Sequence, residues 1–330
     1  MRVGAAWDDP ERCKTAVLAG ARHARAQFRV RVGTWNVEWF PDAKPGFGAA
    51  AFGTDVPWLA CAMAWLDVDV MALQEVKLTA RGKEQLDLLT ATLSSLTGAR
   101  WLWVADACED PTRQHTALVY RTDRVSLSDI ATHAEIDPTL KKGGAPECPG
   151  WLRPALGAYV TSAAGGLDFH LVTLHLDAGA RQRDLATRQQ AWKRLAAVRA
   201  ERERLRADQD LVVAGDFNSV GCVECGVDDA VAETRLLAEA LAQSKLRLAA
   251  PSQPCSSYFQ GAPSLTDHIA LDMAMTEASA GSAEVLGVCA AARCDVVVEE
   301  RLPALRRLSD HCPVIIDLAD RDADAETSGR

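Results

Sequence analysis

Short apolar segments rich in β-branched residues recur along this chain, and their number constrains the fold more than any other feature. They are Phe28 to Thr34, Val68 to Leu73, Trp101 to Ala105, Ala117 to Tyr120, Leu156 to Val160, Leu167 to Leu174, Leu211 to Ala214, Ile269 to Met273, Asp295 to Val298 and Pro313 to Leu318. Each runs apolar or alternates as a buried strand does, and each is short for a core helix. Only three stretches carry helical spacing: Leu86, Leu89, Leu93 and Leu96, with Gly98 placed as a cap; Leu185, Trp192, Leu195 and Leu205; and Val231, Leu236, Leu237 and Leu241. Strands outnumber helices roughly three to one, which a strictly alternating βαβ sheet does not produce. Two sheets packed face to face with helices outside, an α/β (α+β) arrangement, accommodate the pattern.

No internal repeat, low-complexity tract or long linker divides the 330 residues. The expected organisation is a polar, partly helical leader over 1–27, one domain over 28–319 and a charged tail over 320–330, with Pro41 to Pro57 as a surface connection. With 48% apolar and 25% charged residues the composition is globular, which excludes collagen, a disulfide mini-scaffold and a wholly disordered chain. No run approaches the roughly 18 apolar residues of a spanning helix, so no transmembrane segment is expected. Thirty-six Lys plus Arg against 45 Asp plus Glu give a net charge of −9. That balance argues against holding a polyanion through one broad basic surface, and leaves room for a small positive cleft.

Ten cysteines, an even number, lean toward disulfides in an oxidising compartment. Buried free thiols are the alternative, as is a four-thiolate zinc site from Cys222-x-x-Cys225 and Cys289-x4-Cys294. The longest apolar run of the first thirty residues, Ala16 to Ala19, is too short for a signal peptide. A secreted or periplasmic protein with its signal removed is therefore expected ahead of a cytoplasmic one.

Polar residues stand at the ends of the apolar segments, where a sheet edge can project them into a cleft. The segments are Trp35-Asn36-Val37-Glu38, Leu73-Gln74-Glu75-Val76, Leu174-His175-Leu176, Gly215-Asp216-Phe217-Asn218, Thr266-Asp267-His268 and Ser309-Asp310-His311. Carboxylates, amides and imidazoles dominate, and no Gly-x-Ser-x-Gly elbow offers a serine nucleophile. Oxygen-rich sets of this kind suit magnesium, which keeps most of its waters and takes one or two carboxylates. Such an ion neutralises a phosphate oxygen while acid and amide side chains orient an attacking water. Hydrolysis of a phosphate ester is the chemistry expected.

The order of these motifs resembles that of the endonuclease/exonuclease/phosphatase superfamily, with the DNase I-like nucleases among its members, over about Phe28 to Leu318. The resemblance implies a four-layered α/β sandwich, two packed and mainly antiparallel β-sheets flanked by helices, with a metal site at one edge. By match to the family's motifs it implies Asn36 and Glu75 as the metal-binding pair, with Glu38 as a further acidic ligand. The ion expected is Mg2+, with Mn2+ or Ca2+ as alternatives. Asp216 would activate the attacking water and Asn218 would hold it or the phosphate. His175 and His311 would contact phosphoryl oxygens, with Asp267 and Asp310 orienting imidazoles, though which acid serves which histidine stays open. Arg153, leading a strand after Trp151-Leu152, would reach a substrate phosphate, with a surface ion pair as the structural alternative. A disulfide between Cys222 or Cys225 and Cys255 is also implied, as in secreted relatives.

His115 reads either as a substrate contact or as a strand residue. His23, His133 and His170 match no motif and read as structural, while His268 adjoins a matched acid. The expected activity is a Mg-dependent phosphodiesterase, a nuclease cleaving DNA with little sequence preference. The alternative on the same fold is a phospholipid or inositol-phosphate hydrolase, sphingomyelinase-like, for which Trp58, Phe47 and Phe52 would be apolar rim residues. A binding module without catalysis is the last reading, and the intact motif residues count against it.

Overall fold

The computed structural model describes residues 4–42, 53–108, 110–137, 152–278 and 282–322. In its first half the chain forms α1 (Ala5–Asp8), α2 (Pro10–Leu18), β1 (Arg29–Asn36), α3 (Val56–Leu66), β2 (Val70–Val76), α4 (Ala80–Thr97), β3 (Trp101–Ala105), β4 (His115–Arg121), β5 (Val125–His133), β6 (Ala155–Ser162) and β7 (Asp168–His175). The second half adds α5 (Gln182–Leu205), β8 (Leu211–Asp216), α6 (Ala230–Gln243), β9 (Leu246–Leu248), β10 (Ala250–Pro251), β11 (Ser257–Phe259), β12 (Ala262–Ser264), β13 (Asp267–Asp272), β14 (Ser282–Val285), α7 (Gly287–Ala292), α8 (Pro303–Arg307) and β15 (Val314–Ala319). One sheet has the order β10-β14-β15-β1-β2-β4-β3 and a second β5-β6-β7-β8-β13-β9, while β11 and β12 pair separately.

Most neighbours run antiparallel, but β1–β2, β7–β8 and β10–β14 are parallel. The sheets pack face to face through residues such as Val32, Leu118, Ala158, Leu171, Ala214 and Ile269. A second apolar layer lies beneath α5 and α6, where Trp192, Leu195, Leu237 and Leu241 meet Val172, Val213 and Phe217. This is the expected four-layered sandwich.

The three helices with clear apolar spacing form α4, α5 and α6, and Gly98 ends α4 in the left-handed region (φ 71°), its N–H bonded to Ser94 O. Helix α3 carries no such signal because it is buried on nearly every side, from Val56 through Leu66, so no polar stripe marks its period. Among the described residues Asp295 to Val298 is not a strand: Val296 is exposed, and the segment follows the turn after α7. Strand β5, half exposed at the sheet edge, was not anticipated. Residues 5–18 pack into the core through Ala6, Trp7, Cys13 and Val17, and Cys13 is bonded to Cys61 of α3.

Cys222 pairs with Cys225, Cys255 with Cys294, and Cys289 with Cys312. Every cysteine among the described residues is disulfide-bonded. The implied bond from Cys222 or Cys225 to Cys255 is therefore not made, and neither is the four-thiolate zinc site, whose sulfurs are spent in separate bridges.

Candidate active site

Adjacent strands bring the motif residues together by register. His175 lies opposite Asp216 across the parallel β7–β8 pair, and Asp216 lies opposite Asp267 across β8–β13. Gly215 makes this alignment possible, since a Cβ there would lie 2.0 Å from the Leu174 carbonyl oxygen. From the other sheet, β1 ends on Asn36 and β2 carries Glu75. A bulge between Leu73 and Val76 in the β2–β4 pairing, with Glu75 at φ 65°, turns the Glu75 side chain toward the opposite sheet. Gln74 fastens the sheets below the cleft by donating to Thr34 Oγ1 and Thr173 Oγ1, each at 3.0 Å.

Asn36 is fully buried, and its Nδ2 donates to Asp216 Oδ2 at 3.0 Å and to Glu75 Oε1 at 3.2 Å. Its Oδ1 accepts from the Glu38 N–H at 3.0 Å. Glu75 Oε2 accepts from the Trp39 N–H at 3.0 Å and from Gln114 Nε2 at 2.7 Å. His175 Nε2 stands 3.4 Å from Asp216 Oδ2 and 3.8 Å from Glu75 Oε1. Arg153 bonds through Nη2 to Gln114 Oε1, with Nη1 3.4 Å from the Leu176 carbonyl.

The acid serving His311 is Asp267, whose Oδ2 is 2.8 Å from Nδ1, whereas Asp310 Oδ1 lies 3.8 Å from Nε2. Asp267 is itself held by the Ser256 hydroxyl at 2.8 Å and the Thr266 hydroxyl at 3.1 Å. Ser309 ties the His311 loop to β1, donating to the Asn36 carbonyl at 2.6 Å and accepting from the His311 N–H at 2.9 Å. That leaves His311 Nε2 facing Asp216 Oδ2 at 3.9 Å.

Charge in the cleft is unbalanced. Burial raises the Asp216 carboxyl to about 7, with Asp267 adding to the rise while His311 and the Asn36 hydrogen bond oppose it. Burial alone would discharge His311, but Asp267 and Asp216 overcome it and hold the imidazole well above its ordinary value. Burial, with Arg153 and His311 nearby, takes His175 well below it. One histidine is thus cationic at neutral pH and the other neutral.

The profile of the Endonuclease/Exonuclease/phosphatase family matches residues 33–222. The chain belongs to this family. Its members are phosphoester hydrolases that typically depend on a divalent metal. The fold agrees with solved members of this group at low identity. The human Nocturnin catalytic domain, solved with a bound sulfate anion, matches with a TM-score of 0.55 and 17% identity over 89% of this chain and 95% of its own. The mannosyl-6-phosphatase of Bacteroides thetaiotaomicron gives 0.58 and 18% over 88% and 99%. The 3'-5' exonuclease of Neisseria meningitidis gives 0.54 and 20% over the same shares. No curated protein sequence matches.

A hard divalent cation fits the donor set of this family member. Glu75 Oε1 and Asp216 Oδ2 bring carboxylate oxygens to either side of Asn36, whose one ligating atom is the Oδ1 that here accepts from the Glu38 N–H, and Glu75 keeps partial access to solvent. Asp216, Asp267 and His311 form a second juxtaposition with their ligating atoms within 4.8 Å of one another, and Asp267 Oδ1 is buried without a hydrogen-bond partner.

Other expected positions fall less centrally. The Glu38 carboxylate accepts from the Asp310 N–H at 3.4 Å. Asn218, at φ 51°, spends its amide donor on the Leu176 carbonyl at 3.0 Å. His115 is fully buried between Asp106 and the Asp110 carbonyl, which removes it as a substrate contact. His268 is buried with Nε2 2.8 Å from the Ser219 hydroxyl. His23, His133 and His170 bond to Glu284, Glu135 and the Arg206 carbonyl, away from these motifs. Trp58 is no rim residue, being fully buried with Nε1 donating to Ala6 O; Phe47 and Phe52 lie outside the described residues. Thr266 and Ser309 stand within the motif segments but carry no assigned role there, and Gln114 and Ser256 stand outside every motif, since a lone polar residue at a strand end is ordinarily a turn residue.

Proposed function

We propose that this family member is a Mg2+-dependent phosphodiesterase, a nuclease that cleaves DNA with little sequence preference. The observation that carries the reading is the convergence of Asn36, Glu75, His175, Asp216 and Asp267, from strands of both sheets, with His311, from the loop before β15, on one cleft edge. Asn36 and Glu75 would hold the cation, with Glu38 as a further acidic ligand. Bound there, the ion supplies positive charge to a phosphoryl oxygen and to the departing oxygen.

Asp216 takes the proton of the attacking water: its carboxyl sits close to neutrality, the range in which a general base is most effective. Asn218, bonded through its own N–H to Asp216 Oδ1 at 2.8 Å, fixes the direction of that carboxylate. His311 stays protonated on its Asp267 tether and presents Nε2–H to the phosphoryl oxygens. His175 remains neutral and acts as a hydrogen-bond donor rather than a proton source. Arg153, among acids and half-buried, binds a non-bridging phosphate oxygen. Asp310 contributes negative charge at the cleft mouth.

The likeness to an exonuclease supports the nucleic-acid reading. The interior position of Trp58 removes one support of the phospholipid alternative. The disulfide bonds support residence in an oxidising compartment. The test is hydrolysis of supercoiled plasmid, single-stranded DNA, RNA, sphingomyelin and an inositol polyphosphate, each with Mg2+, Ca2+ or chelator. Mg2+-dependent cleavage of plasmid and single strands is expected; turnover confined to the lipid or the inositol phosphate would overturn the substrate assignment.

A further inference from the structure

Glu75 and Arg153 come from different sheets and have opposite tasks in the proposed function, one toward a cation and the other toward a phosphate. One side chain touches both. Gln114, buried just before β4, donates through Nε2 to Glu75 Oε2 at 2.7 Å and accepts from Arg153 Nη2 at Oε1. A carboxamide is suited to this place because it carries a donor at one end and an acceptor at the other. A carboxylate would repel Glu75, and an ammonium would repel Arg153.

We infer that Gln114 is a positioning residue that sets the cation-holding carboxylate and the phosphate-binding guanidinium at a fixed separation. The inference rests on the reading of Glu75 and Arg153 given above. Glu75 Oε2 is engaged by Gln114 and by the Trp39 N–H, so Oε1 is the oxygen left to face Asn36 and His175 in the cleft. Arg153 is anchored at one nitrogen by Gln114 and approaches the Leu176 carbonyl with another. Its remaining N–H groups stay available for an anion.

Gln114 is in turn fixed from behind. His115 places Nδ1 2.9 Å from Asp106 Oδ1 and Nε2 2.9 Å from the Asp110 carbonyl, and the Thr116 N–H donates to Asp106 Oδ2 at 2.7 Å. These buried contacts hold the start of β4 in one register, which gives the otherwise unexplained Asp106–His115 pair its purpose.

The test uses Gln114→Met, which keeps the volume and removes both hydrogen bonds, and Gln114→Leu as a second apolar exchange in case the first misfolds. Mn2+ binding is measured without substrate by electron paramagnetic resonance, alongside KM, kcat and thermal melting. Partners that orient metal ligands are typically worth 10–100-fold in affinity, so an approximately tenfold weaker Mn2+ affinity is expected, with KM raised by about as much. In a Glu75→Gln background the Mn2+ effect of Gln114→Met should vanish, and in an Arg153→Ala background its KM effect should vanish. A well-folded Gln114→Met protein with wild-type Mn2+ affinity and KM overturns the inference, as do undiminished effects in both backgrounds. Wild-type Mn2+ affinity in Glu75→Gln alone would instead remove the reading of Glu75, and the inference with it.

Discussion

The two ends of the β1–β2 pair are both crowded with charge, yet they are built on opposite plans. At the end where these strands begin, Arg31 is bonded to Asp317 at 2.6 Å, Arg25 and Arg124 to Asp69 at 2.8 and 3.2 Å, and Arg121 to Asp67 and Asp123 at 3.3 and 2.9 Å. Each of these four acids faces a guanidinium, and Asp69 also accepts the Arg31 N–H. At the end where the strands finish, Glu75, Asp216 and Asp267 crowd together, with Arg153, His311 and Lys77 as the cations whose charge reaches them. A balanced buried cluster is costly to break, because removing one partner leaves the other charge buried and unpaired. An acid-rich one destabilises it and is retained where a cation or a substrate restores the balance.

The sharpest way to break this contrast is to remove one group from each end. Asp216→Asn should melt close to wild type and lose turnover on the order of a thousandfold, about 4 kcal/mol in barrier, in a plasmid-nicking assay. Unchanged turnover would dissolve the distinction between the ends. Arg31→Ala should do the reverse, lowering unfolding free energy by about 3 kcal/mol in a urea titration while leaving kcat/KM as it was. Activity lost in proportion to the cation affinity of the cleft would show that the two ends are coupled.

A pH series sharpens the comparison from the side of the fold. His268 is buried next to Asp267, and burial lowers its imidazole to about 4. The folded protein keeps it neutral while the unfolded chain protonates it below its ordinary value of 6.5, so its stabilising contribution is complete above that value and is lost as pH falls toward 4. The loss should reach about 2 kcal/mol by pH 5, and His268→Gln should flatten that part of the stability curve. The smallest effect expected is cation binding itself. At about ten times its dissociation constant, Mg2+ should raise unfolding free energy by about 1.4 kcal/mol, and Glu75→Gln should abolish the gain whereas Arg31→Ala should not.

How far the sequence reached can be seen in particular elements. Strand β8 was legible because Leu211 to Ala214 is an apolar run closed by a Gly-Asp step, and α4 because its leucines recur at helical spacing. Helix α3 was not, since a helix buried all round has no polar face to reveal its period. The exposed valines at Val296 and Val298 imitated a strand that no neighbour completes. Within the site, Asn36, Glu75, His175, Asp216 and His311 were visible as polar punctuation after apolar runs.

Their partnerships were not visible. Asp267 and Asp310 were equally good partners for His311 on paper, and the antiparallel placement of β13 beside β8 decided for Asp267. Gln114 had no motif at all until the bulged β2–β4 pairing put Glu75 beside it. The sequence by itself therefore determined the strands that carry the site and which chemical groups stand at their ends, because both are local properties of the chain. Which groups touch was decided only in three dimensions, since hydrogen bonds and charge balance depend on register between strands that lie far apart along the chain.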